Sequence, residues 1–181
     1  MGLDQYLFVH WIPQKFFEES KNYGEVLDLV VDGFQGYDPW LPERTVYFRK
    51  GWPLDRFLIE MSTWHNEYSD NLFIPSENVE KICTECVRVI QSIPEFSDLA
   101  VPQFFERYPS AETFIDAIRK FYPTDSEREA ELYKKTSDSG LDDGYSDPCW
   151  DLRYYYDLLK MIHNLYQKDV KNFNLFYVRS Y

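Results

Sequence analysis

The feature that most constrains this chain is the stretch 149–166, where Leu152, Tyr155, Tyr156, Leu159, Ile162 and Tyr166 recur at helical spacing. About five turns of helix with a broad apolar face must lie against another layer to keep that face from water. Segments suited to such a layer stand at both ends of the chain. Residues 3–10, with Tyr6, Phe8 and Val9, and residues 173–178, with Phe173, Leu175, Phe176, Tyr177 and Val178, both read as strands. Residues 45–48 are β-branched and aromatic and read as a third strand, stopped by Gly51 and Pro53. The expected class is α+β: a small antiparallel sheet of about three strands, its N- and C-terminal strands central, packed with several helices.

Other helices follow from the same spacing. Pro53 suits a first turn and is followed by Leu54, Phe57, Leu58, Met61 and Trp64. Ser76 opens a second helix through Val79, Ile82, Cys83, Cys86, Val87 and Ile90, and Ser110 caps a third through Phe114, Ile115, Ile118 and Phe121. Residues 124–135 begin with acids and end with Lys134 and Lys135, the order favoured by the helix dipole. Residues 14–31 are partly helical, interrupted at Tyr23 and Gly24. Residues 33–42, rich in Gly, Pro and aromatics, and residues 137–148, rich in Asp, Gly and Ser, are surface loops. With 181 residues the chain has room for one core, so 1–181 is expected to be one globular domain, with 92–136 as a helical insertion.

Charge narrows the function. Acids outnumber bases by 31 to 19, a net charge of −12, which disfavours direct contact with nucleic acid because each phosphate needs a cation. The sequence has no run of about 18 apolar residues and no cationic-then-apolar start, so neither a membrane span nor a signal peptide is expected. Three cysteines are an odd count, and a reducing cytoplasm suits them best.

The opening Met1-Gly2-Leu3-Asp4, followed by Tyr6-Leu7, resembles a group of small bacteriophage-encoded proteins that begin Met-Gly-Leu-Asp-Met-Tyr-Leu. Their Tyr-Trp-Arg-Lys strand is similar to Tyr47-Phe48-Arg49-Lys50. Their cysteine-bearing helix is similar to residues 79–90 with Cys86. Their Tyr-rich helix and closing aromatic strand resemble Tyr154-Tyr155-Tyr156 and residues 176–181. The group usually carries a His soon after the Arg-Lys pair, where this chain has Asp55, and residues 92–136 look inserted. The group has no assigned activity. The resemblance therefore implies a phage origin, and with it a host cytoplasm, together with a fold.

Several constellations could carry chemistry. Arg49 and Lys50 end a strand ahead of Gly51, Trp52 and Pro53, so two cations stand beside a helix start, a place that suits a phosphate or carboxylate. The plainer reading is that Arg49 pairs with a neighbouring acid. Cys83 and Cys86 have a Cys-x-x-Cys spacing, yet a closed zinc site needs four ligands, and neither Cys149 nor His10, His65 or His163 stands at matching close spacing. Both thiols fall on the apolar face of their helix, as core residues do. His65 and His163, each on a predicted helix, read as surface or core histidines. No nucleophile elbow or phosphate loop is present. Asp142 and Asp143 could hold a divalent metal but are more ordinarily turn residues. No catalytic residue, metal or cofactor is assigned.

Between residues 124 and 157 ten acids face four bases, half of the whole net charge. Asp138, Asp142, Asp143, Tyr145, Asp147, Trp150, Asp151 and Tyr154 are the expected partner-binding residues, aromatic anchors in an acidic rim. The alternative is a solvated acidic face that only keeps the protein soluble. The leading expectation is a non-enzymatic phage protein that binds and inhibits a host factor, such as a restriction or CRISPR effector. Its acidic, tyrosine-rich face would resemble nucleic acid and occupy a basic surface. The second expectation is a sponge for a nucleotide signal, with Arg49 and Lys50 on its phosphate and Trp52 on its base.

Overall fold

The structure is a computed structural model and describes residues 4–11, 13–19, 44–65, 71–136 and 148–180, with backbone alone at Phe16, Phe17, Trp52, Glu129, 133–136 and Ser180. Five antiparallel strands form one sheet: β1 (Asp4–His10), β2 (Thr45–Arg49), β3 (Trp64–His65), β4 (Leu72–Ile74) and β5 (Asn174–Ser180), in the order β2-β1-β5-β4-β3. The class is α+β, and the strands nearest the two ends of the chain pair at its centre, Asp4 with Ser180 through His10 with Asn174. The described helices are α1 (Gln14–Glu18), α2 (Trp52–Met61), α3 (Ser76–Gln91), a 3-10 turn (Pro94–Phe96), α4 (Val101–Arg107), α5 (Ala111–Phe121), α6 (Asp125–Thr136) and α7 (Pro148–Gln167).

Two strands were not expected. Trp64, read as the last apolar position of α2, belongs to β3 and pairs with Phe73, and His65 pairs with Leu72. The helix stops at Met61 because Ser62 turns extended, with ψ 147°. His65 is thus an exposed strand residue, not a helical one. Ser110 does cap α5: its hydroxyl accepts from the Thr113 amide at 3.3 Å, and Thr113 Oγ1 accepts from the Ser110 amide at 3.2 Å. The loop expected at 33–42 lies outside the described residues, as do 20–31 and, of the loop expected at 137–148, all but Pro148, which opens α7 and is buried.

Strand alternation divides the core in two. Leu7, Val9, Leu175 and Tyr177 join the main core with the helices, whereas Phe8, Phe73, Phe176 and Val178 form a second buried cluster with Tyr6 and Trp64 at its margin. Segment 92–136 is helical and shares the main core. Phe114 stacks on Tyr156 of α7 at 5.3 Å, and Phe104 packs against the same ring at 5.8 Å. Helix α7 is flanked by α2, α3, α5, α6 and β2, so most of its circumference is covered. No described helix is long and apolar enough to cross a membrane.

Candidate functional site

The two candidate regions meet α7 at different places. At its start, Trp150 is 51% exposed, while its neighbours Cys149 and Asp151 are buried. At 100° per residue Trp150 points outward, and it borders a cavity of about 220 Å³ between α5 and α7. Glu112, Asp116 and Arg119 of α5 line the cavity opposite Trp150 and Arg153 of α7. Arg153 sets its guanidinium over the Trp150 ring at 5.6 Å, donates to Glu112 at 2.9 Å, and lies 3.5 Å from Asp157. Glu112 stays charged: its own backbone amide, the Ser110 hydroxyl and then Arg153 hold its carboxyl below the usual range. Asp116 and Arg119 approach at 3.9 Å as an exposed pair, which contributes little.

Two of the expected contact residues are not on this surface. Asp151 is 4% and Tyr154 8% exposed, because α3, α5, α6 and β2 enclose α7 on several sides. Tyr155 and Tyr156 are buried as well, and burial pushes the phenols of Tyr154 and Tyr155 above their ordinary range. Tyr154, Tyr155 and Tyr156 therefore carry no exposed face, and of the expected contact residues that are described only Trp150 is exposed. Asp138, Asp142, Asp143, Tyr145 and Asp147 lie outside the described residues. Sequence reading missed Glu112, Asp116 and Arg119. They sit some 35 residues before Trp150, and no local pattern joins them to it.

The second region is the corner between β2 and α2. Arg49 is exposed and its Nε lies 3.7 Å from Asp4, whose Oδ1 also accepts from the Tyr47 hydroxyl at 2.8 Å. Lys50 makes the corner with φ 54°, a left-handed conformation that non-glycine residues rarely adopt. Trp52 opens α2, and its side chain lies outside the description. Gly51 is buried, and its amide is already taken, donating to Gln5 Oε1 at 3.0 Å. A Cβ at Gly51 would meet Tyr154 Cδ2 at 3.1 Å and Phe48 Cδ2 at 3.3 Å, so the corner is closed against α7.

Behind the corner runs a buried polar chain. Gln5 Nε2 donates to the Tyr177 hydroxyl at 2.6 Å, and Tyr177 donates to Asp55 Oδ1 at 2.5 Å. Arg179 closes it, donating from Nη2 to Asp55 Oδ2 at 3.1 Å, with its Nε 2.9 Å from Oδ1. Burial first, then the Asp55 charge, raises the Tyr177 phenol far above its ordinary range, so it acts as a fixed donor. The first turn of α2 thus carries its own carboxylate, Asp55, committed to Tyr177 and Arg179, and Arg49 has an acid beside it. This arrangement does not favour the phosphate-binding reading.

Cys86 is buried and Cys83 half-buried on α3, and desolvation lifts both thiols, Cys83 to about 11. Protonated thiols in apolar surroundings are poor ligands and poor nucleophiles. No group of His, Cys, Asp and Glu suited to a metal ion occurs among the described residues. Comparison with family models, with curated proteins and with solved structures gives no match.

Proposed function

We propose that this protein works by binding, using Trp150 and the acid-rich stretch that precedes it in the sequence to dock the basic face of another protein. The supporting observation is the half-exposed Trp150 on a cavity wall. It faces Glu112 and Asp116, which are balanced by Arg153 and Arg119, so the acidic surplus lies in the sequence just before it, at Asp138, Asp142, Asp143 and Asp147. A tryptophan held in place by a neighbouring guanidinium is a strong anchor, and carboxylates around it speed encounter with a cationic partner. With the phage resemblance, the reading becomes a host-factor inhibitor of the anti-defence kind, its carboxylates standing where phosphates would stand. Trp150 takes the role that the buried tyrosines cannot fill.

The test is a pull-down from host lysate at low and high salt, with Trp150→Ala and Asp142→Lys/Asp143→Lys variants beside the parent. A specific partner that is released at high salt and by both variants supports the proposal. Capture indifferent to ionic strength, or undiminished by Trp150→Ala, overturns it.

A further inference from the structure

We infer that helix α5 presets the Trp150 anchor: Glu112 holds the Arg153 guanidinium, and that guanidinium holds the indole ring, so that a partner meets a ring already ordered. The consequence for docking rests on the function proposed above, whereas the presetting itself does not.

The observation behind it is a ladder along one side of α7. Trp150, Arg153 and Asp157 are spaced by three and four residues, so each side chain reaches the next. Trp150 stands in the first turn with about half of its surface in water, where a side chain ordinarily samples several rotamers. Arg153, whose side chain is 34% exposed, is pinned from two helices. Its Nη2 donates to Glu112 Oε1 of α5 at 2.9 Å, and its Nε lies 3.5 Å from Asp157 Oδ2 of α7. A planar fork tied at two of its nitrogens keeps little freedom, and here its central carbon lies 5.6 Å from the centre of the Trp150 ring.

The support on α5 is firm although Glu112 itself is exposed. Glu112 stands in the first turn of that helix, where a carboxylate is favoured, and its own backbone amide and the Ser110 hydroxyl also meet it. Two residues on, Phe114 stacks on Tyr156 of α7 at 5.3 Å, so the core fixes how the two helices face each other. Exposed ion pairs add little to stability. What this one supplies is orientation: a ring that is ordered beforehand loses less entropy when a partner covers it.

The experiment uses the whole protein, isotope-labelled, and measures nitrogen relaxation of the Trp150 indole N–H, assigned by its loss in Trp150→Phe. The parent is compared with Arg153→Gln, Arg153→Lys and Glu112→Ala. The expected order parameter is about 0.85 in the parent, as for rigid backbone, and below about 0.6 in Arg153→Gln and Glu112→Ala. Arg153→Lys keeps the charge and can still pair with Glu112, but it has no plane to lay on the ring, so the indole should stay mobile. An ion pair that served only to join the helices would be rescued by lysine. A mobile indole in the parent, an ordered one in Arg153→Gln, or full restoration by Arg153→Lys overturns the proposal. Capture of the partner judges the docking reading separately. If Trp150→Ala abolishes capture, Arg153→Gln should weaken it roughly two- to tenfold, and undiminished capture by Arg153→Gln overturns the presetting while docking stands. Capture undiminished by Trp150→Ala overturns the docking reading and leaves the presetting to the relaxation result.

Discussion

The hydroxyl of Tyr154 makes two hydrogen bonds to a single residue, accepting from the Arg49 amide at 3.1 Å and donating to the Arg49 carbonyl at 2.9 Å. One side chain of α7 thereby ends strand β2 and fixes the corner from which α2 departs. Its ring presses on Phe48 and on Gly51 at the same place.

Tyr154→Phe keeps the ring and removes both bonds, leaving an amide and a carbonyl to find water at a half-buried position. The expected loss is about 1–2 kcal/mol of stability. Chemical denaturation measures that loss, and hydrogen exchange should quicken at Arg49 before other β2 amides. Unchanged exchange at Arg49 would mean that the corner does not depend on Tyr154.

Asp55→Ala should be far more damaging. It strips Arg179 of its buried counter-charge and Tyr177 of its acceptor, a change expected to cost about 3–5 kcal/mol. Tyr177→Phe, which leaves the Asp55–Arg179 pair intact, should cost about 1–2 kcal/mol. Thermal melts of the two variants in parallel test the ranking, and a reversed order would contradict the chain of bonds described above.

Stability should fall on acidification partly because of His10. Its imidazole is wholly buried, and desolvation, only partly offset by a bond to the Leu175 backbone, brings its pKa down to about 3. The folded chain leaves His10 neutral, whereas the unfolded chain protonates it below about pH 6.5. Stability from this site is therefore complete above that pH and declines as pH falls toward 3, by at most about 1.4 kcal/mol per unit. Urea midpoints from pH 7 to pH 4.5 should drop less steeply in His10→Gln than in the parent. Equal slopes would remove His10 from the account.

Thiol labelling should follow burial on α3. Cys83, half-buried, is expected to react first with an alkylating reagent, and Cys86 and Cys149 only as the chain unfolds. Mass spectrometry of partly labelled protein reads the order directly. Early labelling of Cys86 would contradict the packing of α3 against α7.

Periodicity alone located most of what positions the site. Residues 149–166 read as a helix because the apolar recurrence is long. β1 and β5 were legible from aromatic and β-branched runs, and the Ser110 cap from a hydroxyl ahead of an apolar run. The short strands β3 and β4 were not legible: Trp64 lies seven residues after Phe57, so its position fits the helical stripe equally well, and only pairing with Phe73 makes it a strand residue. Trp150 was legible as an aromatic among acids, whereas its cavity partners on α5 were not, since their approach depends on how two helices pack.

The amino-acid order by itself determined the class of fold, the acidity and the first and last strands as strands, because these depend on local spacing and composition; their pairing joins the two ends of the chain. It could not decide which tyrosines of α7 face inward. Three in succession sweep about 200° around a helix, so a lone amphipathic helix would leave one of them in water. Here β2 and four further helices pack around α7, and all three are buried. The same enclosure turned Tyr154 from an expected contact residue into the end-stop of β2, and it left Trp150 exposed near the start of α7. Burial of a given side chain is set by every layer that reaches it, and those layers come from distant parts of the chain.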